Sequence, residues 1–566
     1  MAPTCRFGRF LAPPPPTWPT EITDYIIVGA GSAGCVLANR LSADASVGVL
    51  LLEAGKADRS ANIKIPAAFP KQFHTRLDWD YWTEPEPHVD GRSLYIPRGK
   101  GIGGSSSMNA MLYVRGRPLD YDGWEEQGAP GWGYKDVLPY FIKAEDNSRG
   151  ASEYHGAGGP LRVGEQRSPR PLDRRLIAAS VAAGIPRIDD YNGPEQDGVS
   201  MFQVNQDRGK RFSCADAYLR PVSDRPNLEV RKDATVLGVE FEGGRAVGVR
   251  VQGRRGRVEI LRAQREVILS AGAIGSPQLL QLSGIGAPDD LRAVGVEVRH
   301  ELPGVGRNLQ DHPFVTSIFE VSDVDTLRYA EKPKALAEWL LRRTGPLSST
   351  VAEVVAFHRT RPGLPAADIQ FHMGAAYFED HGAETYDGHC IVIGPVLISP
   401  KARGRVWLRS ANPTDKPRIL TNSLSDPDDV ASLVAGVELT REIAAQNPLA
   451  EIVLREIKPG PAVSGRADIE ADVRRRLMLI YHPVGTCRMS DTAADAVVDS
   501  QLRVHGLEGL RVVDASIMPT IIGGNIHAPT VMVAERAADL IRGAVGASSY
   551  QAPTDGPSAK ASATGA

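Results

Sequence analysis

Residues 24–28 read Asp-Tyr-Ile-Ile-Val, a short β-rich apolar run, and a glycine-rich hexapeptide from Gly29 to Gly34 ends it. Helix-like spacing continues to about Leu41, and a second apolar run over 47–52 stops at Glu53. Strand, loop, helix and strand in that order predict the opening of a doubly wound parallel sheet. Further apolar runs at 228–231, 236–241, 247–251 and 267–269 predict a meander with a turn at Gly243-Gly244, delivering the chain to Ala271. Helical patterns follow at 335–343 and 428–446. Between them, 368–374, 389–398 and 404–409 alternate like strands of an antiparallel sheet. A last strand at 510–513 leads into a helix from about Thr530 to Arg542. There is no internal repeat. The β-rich middle differs from both ends, which predicts one domain made of separated segments with a second domain inserted into it.

Composition narrows the class. The chain has 566 residues, 42% hydrophobic and 23% charged, which excludes a disordered chain, a collagen-like fibre and a membrane bundle. Lys plus Arg (65) nearly balances Asp plus Glu (68), and no basic stripe points to nucleic acid. Five scattered cysteines without a C-x-x-C pair predict neither a disulfide framework nor a zinc ribbon, and they favour the cytoplasm. Residues 1–22, with a proline run at 13–16, lack the apolar stretch of a signal peptide and read as an extended or disordered leader. Residues 544–566 are mostly Ala, Ser, Gly, Pro and Thr and read as a disordered tail. No stretch reaches the roughly 18 apolar residues that a bilayer requires. The unusual count is 57 glycines, many of them placed in ordered-looking motifs.

The first of these motifs is Gly29-Ala-Gly31-Ser32-Ala33-Gly34, between a strand and a helix. Gly29 makes the tight turn, Gly31 lets a pyrophosphate approach the backbone, and Gly34 lets helix and strand pack closely. The helix N-terminus attracts phosphate charge. Glu53, followed by Ala54, ends the next strand 19 residues after Gly34 and is placed to accept hydrogen bonds from a ribose diol. This arrangement predicts a dinucleotide site but does not separate FAD from NAD.

A second loop, from Pro97 through Gly99, Gly101, Gly103, Gly104, Ser105, Ser106, Ser107 and Met108 to Asn109, is too dense in Gly and Ser for a regular element. It suits a backbone pressed against a flat or anionic ligand. Residues 99–122 resemble one signature of the glucose–methanol–choline (GMC) flavin oxidoreductases. Residues 272–286, Gly-Ala-Ile-Gly-Ser-Pro followed by Gln-Leu-Leu-Gln-Leu-Ser-Gly-Ile-Gly, resemble the other, and 303–312 (Pro-Gly-Val-Gly-Arg-Asn-Leu-Gln-Asp-His) follow as in that family. The resemblance runs from about Asp24 to Arg542 and is nearest to the choline- and sorbose-dehydrogenase-like branch.

The resemblance implies a mixed α/β and α+β fold. A Rossmann-like FAD-binding domain would comprise residues 23–165, 205–330 and 480–543. A substrate domain, with an antiparallel sheet flanked by helices, would comprise 166–204 and 331–479. It implies FAD, with Gly101, Gly104, Ser105 and Asn109 along the isoalloxazine and ribityl chain. Val236 would meet the adenine, and Asp514 and Ala515 the ribityl and pyrophosphate. Some relatives carry a flavin-linking histidine just before the loop asparagine; Met108 stands there, so the FAD is expected to be non-covalent. The resemblance also implies oxidation of a primary alcohol, sugar alcohol or aldehyde hydrate, with reoxidation by O2 or a quinone-type acceptor, in a monomer or homodimer.

Alcohol oxidation removes a hydroxyl proton as well as a hydride, and histidine, titrating near pH 6.5, suits the proton. The chain has 12 histidines. The resemblance selects His482, in Tyr481-His482-Pro483, as the catalytic base. It aligns Asn525, after Gly523-Gly524, with a second catalytic position held by His or Asn among relatives. His527 departs from the Asn common in choline-active relatives; pocket tuning and packing both remain open for it. His312 beside Asp311 does not make a metal site on its own, and none is expected. Cys487 reads as a small buried thiol. Specificity is expected from 331–479, 79–82 and parts of 145–203, with Phe357, Phe371, His372, Tyr377, Phe378 and Trp407 as unranked pocket candidates. Rival readings on the same fold are a hydroxynitrile lyase, a photodecarboxylase, whose cysteine is absent from Pro395-Val396-Leu397, and a non-enzymatic binding protein.

Overall fold

The computed structural model describes residues 22–253, 256–322 and 324–543. The expected leader, apart from Ile22, and the expected tail lie outside the described residues.

Two large sheets organise the chain. The first has seven strands, in the order Leu228–Arg231, Val49–Leu52, Ile22–Val28, Val258–Leu269, Arg245–Gln252 and Thr235–Glu242, with Leu510–Val512 also paired to Val258–Leu269. The pairings among 228–231, 49–52, 22–28 and 258–269 are parallel, as is that of 510–512 with 267–269. The expected strand at 267–269 is therefore only the end of a twelve-residue strand. Its first half is exposed at 258–260 and then alternates, where it pairs antiparallel with 245–252. Its last three residues are fully buried between parallel neighbours and form the continuous apolar run seen in the sequence.

Helix Ser32–Leu41 follows the first strand and packs against the long helix His527–Ile541, which begins three residues earlier than the pattern predicts. Arg40 on the first helix makes a bidentate ion pair with buried Glu535 on the second, at 2.8 and 2.6 Å. Distant parts of the chain are thus clamped on one face of the first sheet.

The second sheet has eight strands and is antiparallel. Its main order is Val453–Lys458, Ser317–Val321, Cys390–Leu397, Ile369–Gly374, Val354–His358 and Gly198–Met201, with Pro313–Phe314 and Met478–Leu479 paired beside it. Helix Pro427–Ala444 covers Cys390–Leu397. Residues 313–321, grouped by sequence with the cofactor segments, pair in this second sheet. The expected strand over 404–409 shortens to Arg405–Trp407 and pairs with Arg418–Leu420 in a separate two-stranded ladder. Alternation predicted its conformation but carries no information about its partner. Among the described residues, no helix is long and apolar enough to cross a membrane.

Candidate active site

A cavity of about 450 Å³ takes lining residues from the glycine loops of the first sheet and from strands of the second. That volume lies in the range of small-molecule and cofactor sites.

The glycines explain the shape of one end. Gly29 has φ +104°, and an added Cβ would lie 2.5 Å from the Ser270 carbonyl oxygen. At Gly34 a Cβ would lie 1.9 Å from the Gly29 oxygen, so only glycine lets the helix approach the strand this closely. Gly31 differs: the nearest atom to its Cβ position is 4.0 Å away, which leaves room on its open side. Gly31 caps helix Ser32–Leu41 without a side-chain hydrogen bond, leaving the first amide groups free to meet an anion. Glu53 is held by amides of Ala30 and Gly55 at 3.0 and 2.8 Å, and burial pushes its carboxyl above the usual value.

The second loop closes over the first. Gly103 donates its amide to the Ala30 carbonyl at 2.8 Å, and a Cβ on Gly104 would lie 2.7 Å from the Gly31 Cα. Two guanidinium groups flank this loop. Arg98 donates to the Tyr481 carbonyl at 2.6 Å and to Ser105 Oγ at 2.7 Å. Arg211 donates to Ile63 O, Ser106 O and Asn109 Oδ1 at 2.8, 3.2 and 2.6 Å, and its Nη2 has no acceptor. Burial alone pulls Arg211 down to about 9. Neither arginine makes an ion pair among the described residues. Arg98 lines the cavity, whereas Arg211 does not. A free helix N-terminus, a glycine cradle and a fixed carboxylate fit a dinucleotide with its two phosphates.

Of the residues expected at the cofactor, Gly29, Gly31, Ser32, Ala33, Glu53, Ala54, Gly104, Ser105, Asn109, Val236, Asp514 and Ala515 line this cavity. Gly34 and Gly101 do not. Gly34 packs helix on strand, and Gly101, at φ +149°, passes so close to Lys56 that a Cβ would lie 2.8 Å from its carbonyl oxygen. Asp514 is fixed by the Gly272 amide at 2.8 Å, Ser276 Oγ at 2.5 Å and the Ser516 amide at 2.8 Å.

His482 and Asn525 line the same cavity. The His482 and His312 amides both donate to Asp311 Oδ1 at 2.7 Å, and burial pushes the Asp311 carboxyl up to about 7. The two imidazoles meet Nδ1 to Nδ1 at 3.0 Å. On the other side, Asn525 Nδ2 lies 3.3 Å from His482 Nε2, while Asn525 Oδ1 accepts from Gln370 Nε2 at 3.2 Å. An amide nitrogen only donates, so His482 Nε2 accepts and carries a lone pair. The His482 proton then sits on Nδ1 and is given to His312 Nδ1, leaving the His312 proton on Nε2. His482 is held well below the usual imidazole value by burial first, then by His312, His372 and Arg98. The ring is therefore neutral at pH 7.

The sequence reading missed Gln370, Arg98, Arg211 and the pairing role of His312. Of the six pocket candidates, His372 and Phe378 line the cavity, whereas Phe357, Phe371, Tyr377 and Trp407 do not. His527 also lines it, with Nδ1 3.2 Å from Ser32 Oγ, and burial pulls its ring down to about 4. Cys487 is fully buried, which raises its thiol well above the usual value.

Fold and site together define a dinucleotide-dependent oxidoreductase. Residues 23–314 and residues 400–534 each match the GMC oxidoreductase family. The chain is 44% identical over 526 residues to an alcohol dehydrogenase [acceptor] of Pseudomonas putida, covering 92% of this chain and 95% of the relative. It is 45% identical over 537 residues to the mitochondrial choline dehydrogenase of Homo sapiens, covering 92% and 89%. The crystal structure of pyridoxine 4-oxidase from Mesorbium loti superposes with a TM-score of 0.83 at 34% identity, covering 91% of this chain and 98% of that one. The chain belongs to the GMC oxidoreductase family and is an FAD-dependent enzyme.

Proposed function

We propose that this enzyme oxidises a primary alcohol, with His482 accepting the hydroxyl proton at Nε2. One observation carries the reading: His482 Nε2 borders the cavity as an acceptor, on a ring that burial keeps neutral. Bound FAD supplies the hydride acceptor. The protein then has to hold the alcohol oxygen between a base and a donor, and Asn525 Nδ2 is that donor. It can bond the oxygen while the proton moves to His482, since an amide does not compete for it. As His482 takes up the proton it becomes a buried cation, and the His312 Nδ1 lone pair is in place to accept its Nδ1–H at 3.0 Å. Gln370 and His312 are positioning residues. With FAD bound, O2 or a quinone-type acceptor would take up the electrons that the alcohol gives. Among the described residues, four free cysteines, all buried, fit the cytoplasm.

Anaerobic mixing of the yellow enzyme with a panel of alcohols tests the reading. Bleaching of the flavin band by at least one primary alcohol is expected, and a band untouched by the whole panel would overturn it. Admitting air afterwards separates oxidase from dehydrogenase behaviour.

A further inference from the structure

The charges around the base restrict what can bind there, and this inference rests on the alcohol-oxidising reading above. The second sheet and its connections line the cavity with Phe314, Val351, Phe378, Val392, Leu479 and Ile480. The polar members of this wall are few, chiefly Thr350 and His372. His372 Nε2 is buried without a partner, and burial pulls the ring down to about 3, so it is neutral.

Three carboxylates line the cavity, and each belongs elsewhere. Glu53 is tied to the first glycine loop and Asp514 to the turn at Gly272. Asp415 lies in a loop, bonded to Ser410 at 2.6 Å and Asn412 at 2.9 Å. Nearer the base, Asp311 sits behind His482 and does not line the cavity. Glu379 follows Phe378 but turns away to Arg476, 3.2 Å distant. The charge that does reach this end is positive: Arg98 lines the cavity, makes no ion pair among the described residues, and acts on His482.

We infer that the substrate is an uncharged alcohol with an apolar body, and that cationic alcohols and polyols are excluded. A quaternary ammonium here would lose its hydration, meet no carboxylate and face a guanidinium; desolvating a charge without a partner is the most costly of these terms. Aromatic faces alone offset only part of that loss. A polyol would bury several hydroxyls against a wall offering few partners. An alkyl chain or an aryl ring meets apolar neighbours along its length, and His372 Nε2 offers one hydrogen bond to a single further polar atom.

The test compares unbranched primary alcohols of increasing length, benzyl alcohol, sorbitol and choline in anaerobic flavin reduction by the holoenzyme. The efficiency of reduction is expected to rise about three- to fourfold per added methylene until the wall is reached. Choline and sorbitol are expected to be at least about a hundredfold poorer than the best apolar alcohol. Choline or sorbitol matching the apolar alcohols would overturn the inference. A binding arm separates this failure from failure of the oxidation reading. A branched tertiary octanol has no hydride to give, so its perturbation of the flavin spectrum reports binding without turnover. Binding of this alcohol in preference to tetramethylammonium is expected even if no alcohol is oxidised, and the reverse preference would overturn the inference. Phe314→Glu, checked for retained FAD, is expected to weaken the tertiary alcohol and strengthen tetramethylammonium; an unchanged ratio would show that this wall does not set the preference.

Discussion

Gln370 Nε2 donates to Asn525 Oδ1 at 3.2 Å, so a side chain of the second sheet decides which end of Asn525 meets His482. Gln370→Leu removes that donor and lets the Asn525 amide reverse, presenting an oxygen where the alcohol needs an N–H. Flavin reduction is expected to slow about tenfold, the worth of roughly one buried hydrogen bond. FAD content and melting temperature should stay near wild type. Stopped-flow reduction beside a thermal melt checks this, and an unchanged rate removes Gln370 from the positioning role.

His482→Ala deletes the proposed proton acceptor and leaves the glycine cradle intact. Reduction by a good alcohol is expected to fall on the order of 10²–10⁴-fold, with FAD still bound. The ratio of flavin to protein absorbance, measured beside the rate, distinguishes loss of chemistry from loss of cofactor.

The lowered value of His482 has a signed consequence for pH. A base must be unprotonated, and a ring whose value lies below 6.5 stays unprotonated throughout the neutral range. Going down in pH, the loss of kcat/KM due to His482 should therefore begin only below about 6.5, with unit slope. The groups facing this ring are His312, His372, Arg98 and Asp311, and only Asp311, held near 7, changes charge in the neutral range. Asp311→Asn should remove any inflection near 7 and leave the lower limb. An acid limb already steep above pH 7 would contradict the burial argument.

Gly104→Ala tests the contact between the two loops. Its φ of +50° disfavours a side chain, and the new methyl would meet the Gly31 backbone at 2.7 Å. The purified variant is expected to hold much less FAD than wild type, measured by absorbance after desalting and by the cofactor needed to restore the flavin band.

Met108 is buried within the second loop and offers no nucleophile for a flavin methyl group. Acid precipitation should leave the yellow colour in the supernatant. Colour retained in the pellet would show a covalent link through some other residue.

The dinucleotide end of the site was legible because its signals are local. Gly29, Gly31, Gly34 and Glu53 lie within one strand–helix–strand unit, and the requirement for glycine follows from contacts inside that unit and its immediate neighbours. The catalytic end was only half legible. His482 and Asn525 stand in motifs, but their partners are related through space: Gln370 is 155 residues from Asn525, and His312 is 170 from His482. A signal for Gln370 was nonetheless present. On strand Ile369–Gly374, residues two apart share a face, so His372 at the cavity puts Gln370 on the same face, where it reaches Asn525 without lining the cavity. The same alternation sends Phe371 and Met373 into the core behind. Naming Phe371 and His372 together as pocket candidates overlooked that period. Arg211 carried no pattern at all; that it is buried without an ion-pair partner among the described residues is revealed only by three-dimensional packing.

The pairing of Leu510–Val512 with the far end of Val258–Leu269 bears on how the enzyme is made. Val267, Ile268 and Leu269 find their partners Leu510, Arg511 and Val512 only when the ribosome has translated most of the message. His482 precedes that strand and Asn525 follows it, so a growing chain holds the complete first glycine loop for most of its synthesis but no catalytic pair. Chains released early, or cut between Val512 and Asn525, would carry the first glycine loop without Asn525 and without the helix His527–Ile541 that packs on its helix.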